Sequence, residues 1–257
     1  METVKVKATI DHIVKWLNEY KERTNCRGVV VGISGGKDST VVAMLAKKVW
    51  GDNVCGVLMP YGNQSDIVDS YRVVQCLGLK NRTIGIMDSD VVLRYDIEHW
   101  NKLDSPISLS SQAKINIKPR LRMTVLYAIA QTLGYRVIGT GNASERYIGW
   151  FTKWGDGAYD VNPIANLTCS EVVEIGIELA KEFNLDEELV KKVPADGLTD
   201  KSDEANFGFT YTQLDAVIKG KTDGIPDDVL ETISRRHQAS LHKFKPDDCP
   251  AFREMPE

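Results

Sequence analysis

Apolar residues along this chain fall into two periodicities. Short, unbroken runs occur at Val29-Val30-Val31 and at Val54-Cys55-Gly56-Val57-Leu58-Met59, the second stopped by Pro60. Runs of this length, rich in β-branched residues and bounded by glycine or proline, are expected to be strands buried on both faces of a parallel sheet. Residues 81–86 and 136–140 complete a set of four expected strands. Between them the spacing turns helical. Ile10, Ile13, Val14, Leu17 and Tyr20 mark an N-terminal amphipathic helix within 1–28. Further helices are expected at 41–49, at 66–77 ended by Gly78, around 88–100, at 112–133 closed by Gly134, and from Gly141 onward. Beyond residue 150 the strand signal fades, and helices are expected at 171–183, 187–192, 211–219 and 227–241. Strands alternating with helices predict an α/β fold, a doubly wound parallel sheet with helices on both faces and a helical C-terminal part. The segment at about 195–209, rich in Asp, Gly and Lys, is expected to be a mobile loop that can act as a lid.

At 257 residues one substantial core is expected, with 1–257 forming a single domain. No apolar run approaches the ~18 residues of a membrane span, and no secretory leader is evident. The net charge of −4 argues against general nucleic-acid binding, so an anionic ligand must be met by local basic clusters. Five cysteines without C-x-x-C spacing argue against a disulfide scaffold or zinc site and fit reduced thiols in a cytoplasm.

The chemistry centres on Gly32-Ile33-Ser34-Gly35-Gly36-Lys37-Asp38-Ser39, which leaves the first buried strand and enters a helix. Glycines let the backbone turn and bring bare N–H groups near a ligand, and the helix start favours an anion there. The segment is therefore a phosphate site. It is not the common NTPase loop, because Val31 stands where that motif needs its first glycine and Asp38 where it needs a hydroxyl. The dinucleotide pattern fails on glycine spacing. Ser34 to Ser39 instead resembles the S-G-G-x-D-S loop of the ATP pyrophosphatases, which cleave ATP between the α and β phosphates. An aspartate in an anion loop repels phosphate unless a cation intervenes, so Asp38 implies Mg²⁺. The plainer alternative is a glycine turn in which Ser34 and Asp38 cap the helix.

Three other segments carry polar residues in suggestive places. Lys118, Arg120 and Arg122 head an apolar helix, against its dipole, which fits either an anionic partner or a solvated face. Thr140 and Glu145 lie just past a buried strand, where Glu145 is either a second Mg²⁺ ligand or an ordinary N-terminal helix acid. The stretch from Phe151 to Asp160 mixes aromatic rings, glycines, Lys153, Asp156 and Asp160, as a stacking platform or a structural turn would.

Taken in order, the glycine loop, 116–123, 139–145 and 151–160 resemble the motifs of ammonia-dependent NAD synthetases. So do Lys192 with Pro194, Ser202-Asp203-Glu204, 208–215 and His242-Lys243, and the likeness spans about residues 29–243. The resemblance implies an adenine-nucleotide α-hydrolase-like fold and a ligase that amidates deamido-NAD with ammonia at the expense of ATP, through an NAD-adenylate, releasing AMP and pyrophosphate. It implies ATP binding by Gly32 to Ser39, Thr140 and Lys192, and Mg²⁺ held by Asp38 and Glu145. Arg120, Lys153, Asp160, His242 and Lys243 would meet the deamido-NAD, and Asp156 would orient or deprotonate the incoming ammonium. A homodimer is implied as well.

The chain departs from that pattern at Cys169, where a lysine commonly reaches ATP, at Ala195, where Ser or Thr is usual, and at Pro119 in place of alanine. Lys191, Lys192 or Lys201 is expected to compensate for the missing lysine. About 28 residues precede the first strand, too few for a glutaminase domain, so the expected nitrogen source is free ammonia or a separate glutaminase subunit. Among rivals, GMP synthetases need a dimerisation domain that this length leaves little room for, and tRNA-thiolation enzymes need a basic surface. A catalytically dead nucleotide-binding protein would be expected to lack Asp38 or Glu145, and both are present.

Overall fold

The computed structural model describes residues 3–61, 67–85, 110–192 and 202–244. Four parallel strands form the sheet, in the order β3-β2-β1-β4, with β1 Val29–Gly32, β2 Val54–Leu58, β3 Lys80–Thr83 and β4 Arg136–Val137. β1 pairs with β2 from Val29↔Val54 to Gly32↔Val57, and with β4 at Val29↔Arg136 and Val30↔Val137. The chain leaves β1 for β2 on one side and returns as β4 on the other. Strand order therefore reverses between β1 and β4, which is where an open α/β sheet forms its ligand crevice.

The side chains of β1 alternate between two cores, as the two-residue period of a strand requires. Val29 and Val31 join the larger cluster with α1 (Thr3–Thr24), α2 (Lys37–Trp50) and the helix Cys169–Phe183. Val30 joins Cys55, Val57, Ala130 and Val137 on the opposite face, covered by the helix Ser111–Leu133. Both faces carry helices, as the alternation of elements predicts. From α1, Ile10, Ile13 and Leu17 are buried and Val14 and Tyr20 half-buried, which accounts for each apolar position of its pattern.

Helices α3 (Ile67–Cys76), α4 (Ser111–Leu133) and α5 (Ala143–Tyr147) alternate with the later strands. There follow α6 (Cys169–Phe183), α7 (Glu188–Lys191), α8 (Asp203–Phe207), α9 (Tyr211–Ile218) and α10 (Asp227–Ser240), and then a 3₁₀ turn at Leu241–Lys243. Gly134 closes α4 in the left-handed conformation, its N–H reaching the carbonyls of Ala130 and Gln131.

Two strands differ from expectation. β4 is shorter than 136–140: Ile138 makes an isolated parallel bridge with Val161, and Gly139 is pressed against the Tyr159 ring as the chain opens toward the crevice. β3 is exposed at each of its residues, so its polar sequence carries no apolar signal. The helix expected around 88–100 and residues 195–201 of the expected lid lie outside the described residues. From 202 onward that segment is α8, whose Phe207 packs with Phe209 and Tyr211 in a second core.

Candidate active site

β1 delivers the glycine loop to the crevice, where the Ile33 N–H still donates to the Val57 carbonyl at 2.9 Å. Gly35 then turns with φ +77°, and a Cβ there would lie 2.8 Å from the Ser70 nitrogen, so α3 can approach only a glycine. Two serines brace the turn. The Ser34 N–H donates to Ser39 Oγ at 3.2 Å, the Gly36 N–H to Ser34 Oγ at 3.2 Å, and Ser39 Oγ to the Gly36 carbonyl at 3.1 Å. No side chain caps α2 at Gly36. Ser34 therefore meets the main chain of the helix start only through the Gly36 N–H, and the loop and first turn of α2 line the cavity wall, where a helix start favours an anion.

Charge is concentrated just inside this loop. The Lys37 side chain is 3% exposed, and its ammonium donates to Asp38 Oδ2 at 2.6 Å. Burial works against that ammonium, but the Asp38 and Glu145 carboxylates outweigh it and hold the Lys37 pKa above the usual lysine value. From the far side of the crevice the buried Asn142 binds both acids. Its Nδ2 donates to Asp38 Oδ1 at 3.1 Å and its main-chain N–H donates to Glu145 Oε2 at 3.0 Å. Asn142 Oδ1 accepts the Glu145 N–H at 3.0 Å, which closes the capping box of α5. Burial, and then the neighbouring Asp38 carboxylate, push the Glu145 carboxyl well above its ordinary pKa.

A second layer fixes the turn that carries Glu145. The buried Asp215 accepts from Ser144 Oγ at 2.5 Å, from the Ser170 N–H at 3.0 Å and from Ser170 Oγ at 2.6 Å, which ties α5, α6 and α9 together. Asp203, also buried, accepts from Trp150 Nε1 at 3.2 Å and from the Tyr211 hydroxyl at 2.8 Å, and the Tyr211 ring lies 5.8 Å from Lys37 Nζ. Asn142, Asp203 and Asp215 fall within the motif segments 139–145, 202–204 and 208–215, but the sequence alone points to no role for them. Only Asn142 has a local signal, the N-x-x-E spacing of a capping box.

A cavity of about 870 Å³ opens between the ends of β1 and β4. Of the expected site residues, Gly32 to Ser39, Thr140, Glu145, Asp156, Lys192 and Lys243 line it. Lys192 reaches it while paired with Asp69, whereas Lys191 is turned to Glu187 and Glu188. Of the two described lysines named as substitutes for the missing one, Lys192 lines the cavity and Lys191 does not. Cys169 lies behind the wall, in the second core, its N–H bonded to Ser144 Oγ at 2.9 Å. Ala195 is outside the described residues. Pro119 lines the cavity from within α4, and Gly155 packs against it.

Arg120, Lys153, Asp160 and His242 do not line the cavity. Arg120 Nε donates to the Lys153 carbonyl at 3.3 Å and Lys153 Nζ to the His242 carbonyl at 2.6 Å, which places these three together on an outer face. Asp160 instead accepts the Val137 N–H at 2.8 Å beside β4.

The donor set of Asp38 and Glu145 suits a hard divalent cation. Both are carboxylates at one crevice, and burial, together with repulsion from Asp38, raises the pKa of Glu145, costs that a cation bound between the two would relieve. Glu145 Oε2 is held by Asn142, which orients the carboxylate. Among the described residues no group of three acidic, histidine or cysteine side chains forms a ready metal site, so other ligands would have to come from phosphate and water.

Comparison with known proteins places this geometry. The family model described as NAD synthase matches residues 9–247. An NH(3)-dependent NAD(+) synthetase of Mycoplasmopsis pulmonis is 38% identical over 239 residues, covering 90% of this chain and 86% of that protein. Among solved structures, an NMN synthetase from Francisella tularensis superposes with TM-score 0.84 at 33% identity, covering 96% of this chain and 99% of that one. An NH3-dependent NAD synthetase from Campylobacter jejuni gives TM-score 0.75 at 27% identity, with 96% and 99% covered.

Asp156 provides a test of the site's electrostatics. Its carboxylate accepts the Thr152 N–H at 2.9 Å, and the protein packed around that carboxyl raises its pKa against the opposing pull of that bond and of Lys243, an effect that solvent in the open cavity screens because the residue as a whole is exposed. The folded chain therefore holds this proton more tightly than the unfolded chain, and stability is lost as pH rises from the unfolded value through the folded one. Asp156→Asn keeps an acceptor for Thr152 and removes that cost. It is expected to melt slightly above the parent at neutral pH, by less than a fully enclosed carboxylate would give because solvent reaches Asp156, with the difference closing as pH falls below the ordinary aspartate value of about 3.9. A variant that melts below the parent at neutral pH would contradict this account.

Proposed function

The chain belongs to the NAD synthase family, and we propose that it amidates deamido-NAD with ammonia, driven by ATP. The observation that carries the reading is the meeting of the uncapped glycine loop with Lys37, Asp38 and Glu145 in one crevice. ATP phosphates lie on the N–H groups of the loop and of α2, where Lys37 and the helix dipole offset their charge. An oxygen of the nicotinate carboxylate bonds to the α-phosphorus while the bond to the β-phosphate oxygen breaks, and pyrophosphate leaves with that electron pair. Ammonia then bonds to the acyl carbon, AMP leaves, and a proton of the former ammonia passes to a base. Asp156, with its raised pKa at the cavity, suits that role, since a proton acceptor works best with a pKa drawn toward the working pH. Asp38 and Glu145 would hold Mg²⁺, which when bound neutralises charge on the leaving phosphates.

A second reading of the substrate has specific support. The likeness to the Francisella NMN synthetase extends over nearly both chains, so the acid form of the mononucleotide is a candidate beside the dinucleotide. The chemistry at the carboxylate is the same in both.

A homodimer is supported by α4 and by the outer face. Leu121, Val125 and Ile129 of α4 are only half-buried and Leu133 is exposed, which leaves apolar surface for a second copy. Arg120, Lys153 and the exposed Trp154 lie together outside the cavity, where a second copy would enclose them against substrate.

Two measurements test these readings. Protein incubated with ATP, Mg²⁺ and ammonium plus either deamido-NAD or nicotinate mononucleotide is expected to form the amide with one AMP per turnover. ADP as the nucleotide product, or no amide from either acid, would sink the proposal. The relative kcat/KM of the two acids decides between the substrates. Light scattering after gel filtration is expected to give twice the chain mass of 28.7 kDa, and the single chain mass would exclude the dimer.

A further inference from the structure

The cavity has a second charged region that the glycine loop does not explain. Arg146, Arg236 and Lys243 line it, and among the described residues none of them forms an ion pair. Lys243 gives its ammonium to the Gly149 carbonyl at 2.7 Å and the Phe151 carbonyl at 2.9 Å. Arg236 donates to the Asn206 carbonyl at 3.0 Å. Arg146 is held differently. Its guanidinium donates to the Tyr159 hydroxyl and lies 5.8 Å from the Tyr159 ring centroid and 5.2 Å from that of Phe244. A guanidinium has five N–H donors, so this packing fixes its orientation and leaves most of the fork unspent.

Position on α5 separates this cation from the catalytic charges. Arg146 follows Glu145, and successive residues of a helix diverge by about 100° around its axis. Glu145 is bound to Asn142 beside Asp38, whereas Arg146 lies against Tyr159 and Phe244. The nicotinate carboxylate has to reach the α-phosphorus at the glycine loop. The anion left on the same molecule is the phosphate of its pyridine ribonucleotide half, and it needs a cation elsewhere in the cavity.

We infer that Arg146 binds that phosphate and so sets the affinity for the pyridine nucleotide, apart from the affinity for ATP. Planar, bidentate donation to phosphate is what an aromatic-braced arginine does best. Lys243, whose ammonium lies 5.3 Å from the centroid of the neighbouring Phe151 ring, adds positive field without surrendering its carbonyl partners. This inference rests on the amidation reading above. Amide formation by the parent protein in the same assay keeps the two distinguishable, because failure of that reading would show in the parent and failure of this one only in the variants.

The experiment compares Arg146→Gln, Arg146→Lys and Tyr159→Phe with the parent, using whichever of deamido-NAD and nicotinate mononucleotide the parent amidates. Losing a charge-assisted contact of about 1.5–3 kcal/mol corresponds to a rise of roughly ten- to a hundredfold in KM for the pyridine nucleotide with Arg146→Gln. The KM for ATP and the melting temperature are expected to stay near the parent's. Arg146→Lys, which keeps the charge without the fork, should fall between. Tyr159→Phe, which frees the guanidinium without removing it, should give a smaller rise of the same selectivity. A pyridine-nucleotide KM unchanged in Arg146→Gln, or a parallel rise in both KM values, would overturn the inference and leave Arg146 a packing residue.

Discussion

The site depends on a charge balance struck where two strands part. Asp38 stands in the first turn of α2 and Glu145 in the first turn of α5, each at a helix start that favours negative charge, and the buried ammonium of Lys37 is paired with Asp38. Neither acid is positioned by its own strand alone. Asn142 clasps both, with its side-chain amide on Asp38 and its main-chain N–H on Glu145. Remove that clasp and the carboxylates would be free to separate. With it, both face one crevice, where burial and then the Asp38 charge raise the Glu145 pKa, a cost that a divalent cation placed between them would offset.

The rest of the fold can be understood as support for that arrangement. α2 is buried along nearly its whole length, which fixes the direction of its N-terminus. Asp215 draws Ser144 and Ser170 together and so locks α5 to α6 and α9, and Asp203 joins Trp150 to Tyr211 beneath Lys37. Buried carboxylates of this kind are costly unless each oxygen is satisfied, and here each accepts at least one hydrogen bond. These contacts make the C-terminal helices part of the cavity wall, although among the described residues no strand lies beyond β4.

Much of this was legible in the sequence, for identifiable reasons. β1 and β2 announce themselves because strands buried on both faces are apolar throughout, and Gly35 because a positive φ against α3 tolerates little else. The glycine loop, Thr140, Glu145, Lys192 and Lys243 then meet in one cavity as the order of motifs implies. What the sequence hid is tertiary. Ser144 and Asp215 are 71 residues apart, and no local pattern marks them as partners. Arg120, Lys153 and His242 share motifs with cavity residues yet sit on an outer face, because order along the sequence does not record which surface a side chain faces. β3, Lys80-Asn81-Arg82-Thr83, is an exposed edge strand, and its polar pattern could locate it only roughly.

The central claim is that the crevice directs the substrate carboxylate onto the α-phosphorus of ATP, rather than ammonia or water onto another phosphate. Isotope tracing tests it most directly. Substrate carrying ¹⁸O in its nicotinate carboxylate, turned over with unlabelled ATP, should yield AMP with one labelled oxygen on its phosphate and unlabelled pyrophosphate. Label in pyrophosphate or inorganic phosphate, or unlabelled AMP formed alongside amide, would contradict the account.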